Sequence, residues 1–206
     1  METRQLLIEH AMKELEQKGL DGFSLRAVGG AAGLSSMAVY RHFANKEELL
    51  RAVGEEAFKT FNARVAEVSS ASLQSWVREL ARVYVEFYLD TPGRFDSCFV
   101  LRTSVERVYP NGFRSGKSPV ISMMAERLEA AQAAGQLKRT DALELALQIW
   151  AQVHGLVTLH KAGRFSLSRT DFIALCERAA MRLVDAVAHG QLRTAKRTKA
   201  RARNSR

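Results

Sequence analysis

The feature that most constrains this chain is a tight Gly-Leu-Ser turn at residues 33–35 between two short helical patterns. Ser24 is a good N-cap for the first helix, and Gly33 suits the left-handed backbone position beyond its last turn. Ser35 can cap the second helix, which the apolar spacing predicts over 36–43. Two short helices joined in this way are typical of a helix-turn-helix, whose second helix enters the major groove of DNA.

One side of the second helix is predicted to face the core, because Val39 and Phe43 lie four residues apart. Ser36 can exchange hydrogen bonds with a base edge, whereas Met37 and Ala38 can touch a thymine methyl group. Tyrosine, arginine and histidine side chains on the same helix can reach bases or phosphates. The residues left for DNA or for the flank are Ser36, Met37, Ala38, Tyr40, Arg41 and His42.

A third helix is predicted to begin at Lys46, with Asn45 as its cap, and to continue to about Ala66. Before the turn, a leading helix is predicted from about Thr3 to Lys18.

The combined pattern resembles the N-terminal domain of TetR-type transcriptional regulators. The pattern consists of a leading helix, a Gly-hydrophobic-Ser turn at 33–35, and the sequence Tyr-x-His-Phe-x-x-Lys-Glu-x-Leu over 40–49. The match covers roughly residues 3–56. A combined motif of this length is specific, whereas a lone helix-turn-helix pattern would be weak evidence.

The resemblance implies a set of DNA contacts. Arg26 would lie at the start of the supporting helix, over residues 25–32, and Lys46 at the N-terminus of the third helix. Tyr40 and Lys46 resemble the family's phosphate contacts, which set the register without reading the sequence. The full predicted set is Arg26, Ser36, Met37, Ala38, Tyr40, Arg41, His42 and Lys46.

Two adjacent glycines depart from the family pattern. Gly29 and Gly30 stand in the middle of the supporting helix, where each costs about 0.5–1 kcal/mol relative to alanine. One interpretation is close packing of this helix against its neighbour. The other is a loose helix that becomes ordered on DNA.

Periods near 3.6 residues dominate the whole chain, so we predict an all-α fold. A chain of 206 residues is long enough for one or two domains. We expect a three-helix helix-turn-helix domain over 1–66, a helical domain over 67–190 and a disordered basic tail over 191–206. Within the second domain, helices are predicted over 73–89, 94–105, 120–134, 141–162 and 168–189, with a loop over 108–119.

The net charge of +9 is concentrated in the tail. Residues 1–62 hold 8 Lys and Arg against 9 Asp and Glu, and residues 63–190 hold 16 against 13. Residues 191–206 hold 7 basic residues and no acidic ones. This run has few apolar groups to bury, so we expect it to be either a solvated tail or a segment that binds DNA non-specifically.

The last two helices carry broad apolar faces. By resemblance, two such helices from each subunit form a four-helix dimer interface, here over about residues 141–189. Trp150 with His154-Gly155 also resembles a Trp/His-Gly pattern of one C-terminal subtype. A dimer would read a palindromic operator in double-stranded DNA with half-sites about 34–36 Å apart.

The second domain is rich in large apolar side chains, which suit either an ordinary core or a small-molecule pocket with a few polar groups. The resemblance implies an unidentified small-molecule effector that changes the spacing of the two DNA-binding heads and releases the operator. The residues predicted to contact it are Tyr84, Phe87, Tyr88, Phe99, Arg102, Met124, Trp150 and His154.

Several classes of protein are not expected from the sequence. His154 and His160 lie about 240° apart around a helix and make no metal site, and no phosphate-binding glycine loop or nucleophile elbow occurs. We therefore predict no cofactor, no metal and no enzyme. Cys98 and Cys176 form no CxxC motif, no signal peptide is evident and no apolar run approaches 18 residues, which favours a cytoplasmic protein without a membrane span.

The sequence thus predicts a dimeric, sequence-specific DNA-binding regulator, most simply a repressor released by a ligand. The alternative is an architectural or partner-recruiting DNA-binding protein without an inducer, which would hold DNA mainly through the basic tail. Salt dependence would separate the two, because binding through many phosphates weakens steeply as salt rises.

Overall fold

A computed structural model describes residues 2–100 and 108–188, which form ten helices and contain no β-strand. This confirms the all-α prediction. The helices are α1 (Thr3–Gly22), α2 (Leu25–Ala31), α3 (Ser36–Tyr40), α4 (Lys46–Ala66), α5 (Leu73–Asp90), α6 (Pro92–Phe99), α7 (Asn111–Arg114), α8 (Pro119–Ala133), α9 (Ala142–Lys161) and α10 (Arg169–Val187).

Five helices begin where their capping residues predict. Ser24, Ser35, Asn45, Asp141 and Ser168 each accept a hydrogen bond from the backbone amide three residues further on, at 2.8–3.2 Å. Each bond satisfies one of the amides that have no partner in the first helical turn. The start of α4, which fixes the end of the helix-turn-helix, is therefore encoded locally.

Some boundaries differ from the sequence prediction. The leading helix continues past Gly19 to Gly22, with a kink at Gly19 where φ is 65°. Helix α3 ends at Tyr40 rather than at residue 43, because residues 41 and 42 form a turn. Pro92 begins α6, where its missing amide hydrogen is not needed. A short helix, α7, lies within the predicted loop.

Two hydrophobic clusters hold the described chain together, and helix α4 belongs to both. Its first half contributes Leu49 and Val53 to a cluster with α1, α2 and α3. Its second half contributes Phe61 and Val65 to a larger cluster with α5 to α10. A single helix thus connects the two cores.

Helix α6 also contacts the first cluster directly. Gly93, in its first turn, lies against α1 so closely that a Cβ atom there would come 2.7 Å from the Leu15 carbonyl oxygen. A side chain at this position would require the two backbones to separate. The glycine therefore permits a close approach between α1 and α6.

One described helix, α9, is long and apolar enough to cross a membrane by length and composition. A core helix of a globular protein passes the same test. Only 33% of its most apolar 18-residue stretch is buried within the chain, although α9 packs against α8 and α10. Much of its surface therefore faces outward in the single chain, including Leu159, which is 47% exposed.

Candidate functional site

The helix-turn-helix is held together by a close approach of α2 to α3. A Cβ atom on Gly29 would lie 2.6 Å from Cγ2 of Val39, which is fully buried in α3. The turn is closed by the amide of Leu34, which donates to the Gly29 carbonyl oxygen at 2.8 Å. A Cβ atom on Gly30 would have no such neighbour within 4 Å. Close packing thus explains Gly29 and gives no reason for Gly30.

The outward side of α3 is uncovered. Met37 is 70% exposed and Tyr40 is 55% exposed, which is unusual for large apolar and aromatic side chains. Ser36, Arg41 and His42 are also exposed, and Ala38 is partly so. The structure brings these six predicted residues together on one short segment. Arg26, the seventh, is exposed on the neighbouring α2.

Lys46, the eighth predicted DNA contact, is engaged within the chain. Its Nζ donates a hydrogen bond to the Leu20 carbonyl oxygen at 3.1 Å and lies 5.5 Å from the centre of the Phe23 ring. The ammonium group carries three N–H donors, so this hydrogen bond leaves two donors for a phosphate. Its predicted role stays a prediction.

Arg4 is a cation near this surface that the sequence analysis did not select. It is exposed, and its guanidinium carbon lies 5.0 Å above the ring centre of Phe43, the residue that follows the α3 segment. No motif identifies Arg4, because its position depends on how α1 packs across the helix-turn-helix.

A cavity of about 210 Å³ lies in the second cluster, between α4, α5, α6, α8 and α9. Four of the residues predicted to contact a ligand line it, from three helices and the end of a fourth: Tyr84, Phe99, Met124 and Trp150. The other lining residues among those described are Phe58, Phe61, Val77, Leu80, Ala81, Cys98, Phe113, Ser118, Val120, Ile121, Ile149 and Val153.

The remaining predicted ligand contacts are placed differently. Phe87 is fully buried in the core, with the Arg64 guanidinium carbon 5.6 Å from its ring centre. The hydroxyl of Tyr88 pairs with Nδ1 of His160 at 3.1 Å, and neither residue lines the cavity. Arg102 lies outside the described residues.

A chain of hydrogen bonds connects the cavity wall with His154. The indole Nε1 of Trp150 donates to the Tyr84 hydroxyl oxygen at 3.2 Å, and the same oxygen lies 2.7 Å from Nδ1 of His154. Burial lowers the pKa of His154, which favours the neutral ring. Burial also raises the pKa of Tyr84, which keeps its proton. All three groups are therefore uncharged near pH 7.

The residues of α4 on the cavity wall, Phe58 and Phe61, were not selected from the sequence. Their spacing on α4 indicates only an inward face, and the helix begins in the first hydrophobic cluster. Phe113, which extends the wall, lies in a segment predicted to be a loop. Among the described residues, no group of three His, Cys, Asp or Glu side chains is arranged to hold a metal ion.

Two family models match the chain. Residues 7–53 match the model described as bacterial regulatory proteins of the tetR family, which includes the exposed α3. Residues 77–187 match the model described as the tetracyclin repressor-like C-terminal domain, which includes most of the cavity wall. Together these two models cover the first hydrophobic cluster and most of the second.

Individual relatives agree with this result. An uncharacterized HTH-type transcriptional regulator of Mycobacterium tuberculosis is 23% identical over 173 residues, which are 83% of this chain and 76% of the relative. A solved structure of a protein of unknown function from Rhodococcus sp. RHA1 superposes with a TM-score of 0.74 at 26% identity, over 92% of this chain and 97% of the other. The flavonoid-responsive regulator FrrA superposes with a TM-score of 0.58 at 26% identity, over 90% and 96% of the two chains.

Proposed function

We propose that this chain, which belongs to the TetR family of bacterial transcriptional regulators, is a dimeric repressor that a small molecule releases from its operator. The chain is a DNA-binding transcriptional regulator by family. The proposal adds that it represses transcription, that it is a dimer and that a small molecule controls it. We further propose that residues 1–66 bind DNA, that 67–190 bind the second subunit and, together with Phe58 and Phe61, the ligand, and that the protein works in the cytoplasm.

The observation that carries the proposal is the double role of α4. Its first half packs beneath the helix-turn-helix, while Phe58 and Phe61 in its second half line the cavity. A molecule that enters the cavity contacts the helix on which the DNA-binding core is built. Ligand binding can therefore favour one position of the DNA-binding domain over another, which is the requirement for allostery.

The exposed side of α3 supports sequence-specific recognition. Up to residue 62 the chain has one more acidic than basic residue, so a general positive field is not available to hold DNA. Affinity must come from individually placed contacts such as Tyr40 and Arg26, with Ser36 and Met37 at the base edges.

The apolar surface of α9 and α10 supports a dimer. Leu159 is exposed, and Leu143, Leu147 and Leu183 are only partly buried in the single chain. A second copy of the chain would cover these side chains through a symmetric interface over about residues 141–189. Two helix-turn-helix units could then read a palindrome with half-sites about 34–36 Å apart.

A small-molecule effector is supported by the cavity and by one relative. The wall is mostly apolar with a few polar groups, as small-molecule sites usually are. FrrA, which shares the fold at 26% identity, is described as flavonoid-responsive. We propose the same mode of control for this chain, with a ligand that suits its own cavity.

The test is a fluorescence-anisotropy titration of the DNA upstream of the protein's own gene, at two salt concentrations, with scrambled DNA as competitor. A matched full-length variant has the seven basic residues of 191–206 replaced by glutamine. We expect saturable binding that survives both the competitor and the tail variant. Binding that is lost in either case would favour the architectural alternative instead.

A further inference from the structure

We infer that the cavity takes an uncharged, single-ring aromatic compound that donates a hydrogen bond to the Tyr84 hydroxyl. This inference rests on the proposed function, because it names the class of ligand for the same cavity. Four features of the described wall carry it: its volume, its aromatic faces, its hydrogen-bond polarity and its lack of charge.

The volume limits the ligand to about one ring. An apolar protein cavity of about 150 Å³ is sufficient to bind benzene. The cavity here is about 210 Å³, which leaves room for one or two small substituents on such a ring. A compound with three rings, such as a flavone, is larger than this volume accommodates.

The wall favours a flat ligand. Aromatic rings approach the cavity from several helices, with Phe61 and Phe99 in edge-to-face contact at 5.3 Å and Tyr84 and Phe99 at 5.1 Å. Such rings prefer offset or edge-to-face partners, and each pair contributes about 0.5–1.5 kcal/mol beyond the burial of apolar area. A planar aromatic ring can make these contacts, whereas an aliphatic chain of equal volume cannot.

The hydrogen bonds at Tyr84 set the polarity of the ligand. The indole of Trp150 can only donate, so the Tyr84 oxygen uses one lone pair as its acceptor. We assign to His154 the tautomer that carries its proton on Nε2, so that Nδ1 accepts the Tyr84 proton at 2.7 Å, and this assignment is part of the inference. Because its proton is engaged, the Tyr84 hydroxyl can interact with a ligand only as an acceptor, and the ligand would share this oxygen with the Trp150 indole. A phenolic hydroxyl or an aromatic amine supplies the matching donor.

The described part of the wall offers no charged partner to a ligand. The sixteen described residues that line the cavity include no Asp, Glu, Lys, Arg or His. An ionised ligand would lose its hydration without gaining an opposite charge from these residues, which is costly in an apolar site. A neutral phenol meets no such penalty.

The experiment measures direct binding to the full-length protein without DNA, by isothermal titration, with four probes. Para-cresol and para-xylene have nearly the same shape and differ in the hydroxyl group. 4-Methylbenzoate adds a charge, and flavone adds size. We expect one para-cresol per chain, weaker binding of para-xylene, and no saturable binding of 4-methylbenzoate or flavone. Tight binding of either of the last two probes would overturn the inference.

Two variants test where the probe binds. Tyr84→Phe removes the acceptor and should lower the ratio of para-cresol to para-xylene affinity about fivefold to tenfold, the worth of one net hydrogen bond. The matched control, Tyr88→Phe, breaks the Tyr–His pair that lies outside the wall and should leave the ratio unchanged. An equal or higher ratio in Tyr84→Phe would exclude Tyr84 as the acceptor.

Ala81→Leu fills the cavity from α5 and should abolish para-cresol binding. Its control is Ala133→Leu at an exposed position of α8, and thermal melting verifies that both variants fold. Binding of para-cresol that persists in folded Ala81→Leu would place the probe elsewhere and overturn the inference. Failure of the proposed function would be distinguishable, because it would show as loss of site-specific DNA binding by the protein without any probe.

Discussion

The backbone amide of Arg94 donates a hydrogen bond to Oε1 of Glu16 at 3.1 Å, which joins the start of α6 to α1. The guanidinium Nε of Arg94 lies 3.4 Å from the same oxygen, close enough for an ion pair but without hydrogen-bond geometry. The Glu16 carboxylate thus caps the N-terminus of α6, where the helix dipole favours negative charge. At its other end α6 carries Phe99 on the cavity wall, so this cap is a second connection between the cavity and the DNA-binding domain.

Glu16→Ala should lower the free energy of unfolding by about 1–2 kcal/mol, because it removes a charge-assisted cap that is partly exposed to solvent. Urea denaturation followed by circular dichroism measures this change. Gln17→Ala is the control, since Gln17 is the next residue on the same helix and is exposed. Equal stabilities of the two variants would mean that the cap contributes nothing measurable.

Gly29→Ala should destabilise the protein by about 1–3 kcal/mol, the usual cost of overpacking, because its Cβ would meet Cγ2 of the buried Val39. Gly30→Ala, one residue away in the same helix, meets open space. It should stabilise the protein by about 0.5–1 kcal/mol through the lower flexibility of the unfolded chain. Thermal melting compares the two, and the same sign for both would contradict the packing of α2 on α3.

Tyr40→Ala should weaken binding to the operator and to unrelated DNA by a similar factor, about fivefold to tenfold, because a phosphate contact carries no sequence information. Fluorescence anisotropy with both DNAs measures the two affinities. Tyr109→Ala removes a tyrosine of similar exposure on another part of the chain and should leave both unchanged. A change in sequence preference in Tyr40→Ala would instead assign Tyr40 to a base edge.

Stability should fall as the pH drops below about 6.5, because burial holds the pKa of His154 below that ordinary value. The unfolded chain then binds more protons at this position than the folded chain, so folding is favoured at high pH and disfavoured at low pH. Melting temperatures at pH 7.5 and 5.5 measure the effect. His154→Asn should reduce the difference, whereas His160→Asn, which disrupts the other Tyr–His pair, should retain the part due to His154.

The features that sequence analysis identified are determined by residues that lie close together in the sequence. Asn45 caps α4 through an amide three residues away, so the start of this helix is contained in a few neighbouring residues. The exposure of Met37 follows from the helical spacing that turns Val39 inward.

The features that sequence analysis did not predict depend on contacts between segments that are distant in the sequence. Phe58 and Phe61 reach the cavity because α4 continues from one core into the other, and their spacing alone predicts only an inward face. The engagement of Lys46 with Leu20 depends on how α4 meets the end of α1. Tyr88 and Tyr84 lie one helical turn apart on α5, yet only Tyr84 lines the cavity, a difference that the aromatic pattern does not contain.

The most direct test of the account compares the operator affinity of the protein with its cavity empty and with its cavity saturated by para-cresol. The account predicts that the dissociation constant for the operator rises at least about fivefold, within the usual range of allosteric coupling. It also predicts that the half-maximal effect follows the directly measured binding of para-cresol. An unchanged operator affinity at full occupancy of the cavity would contradict the central claim that this cavity controls DNA binding.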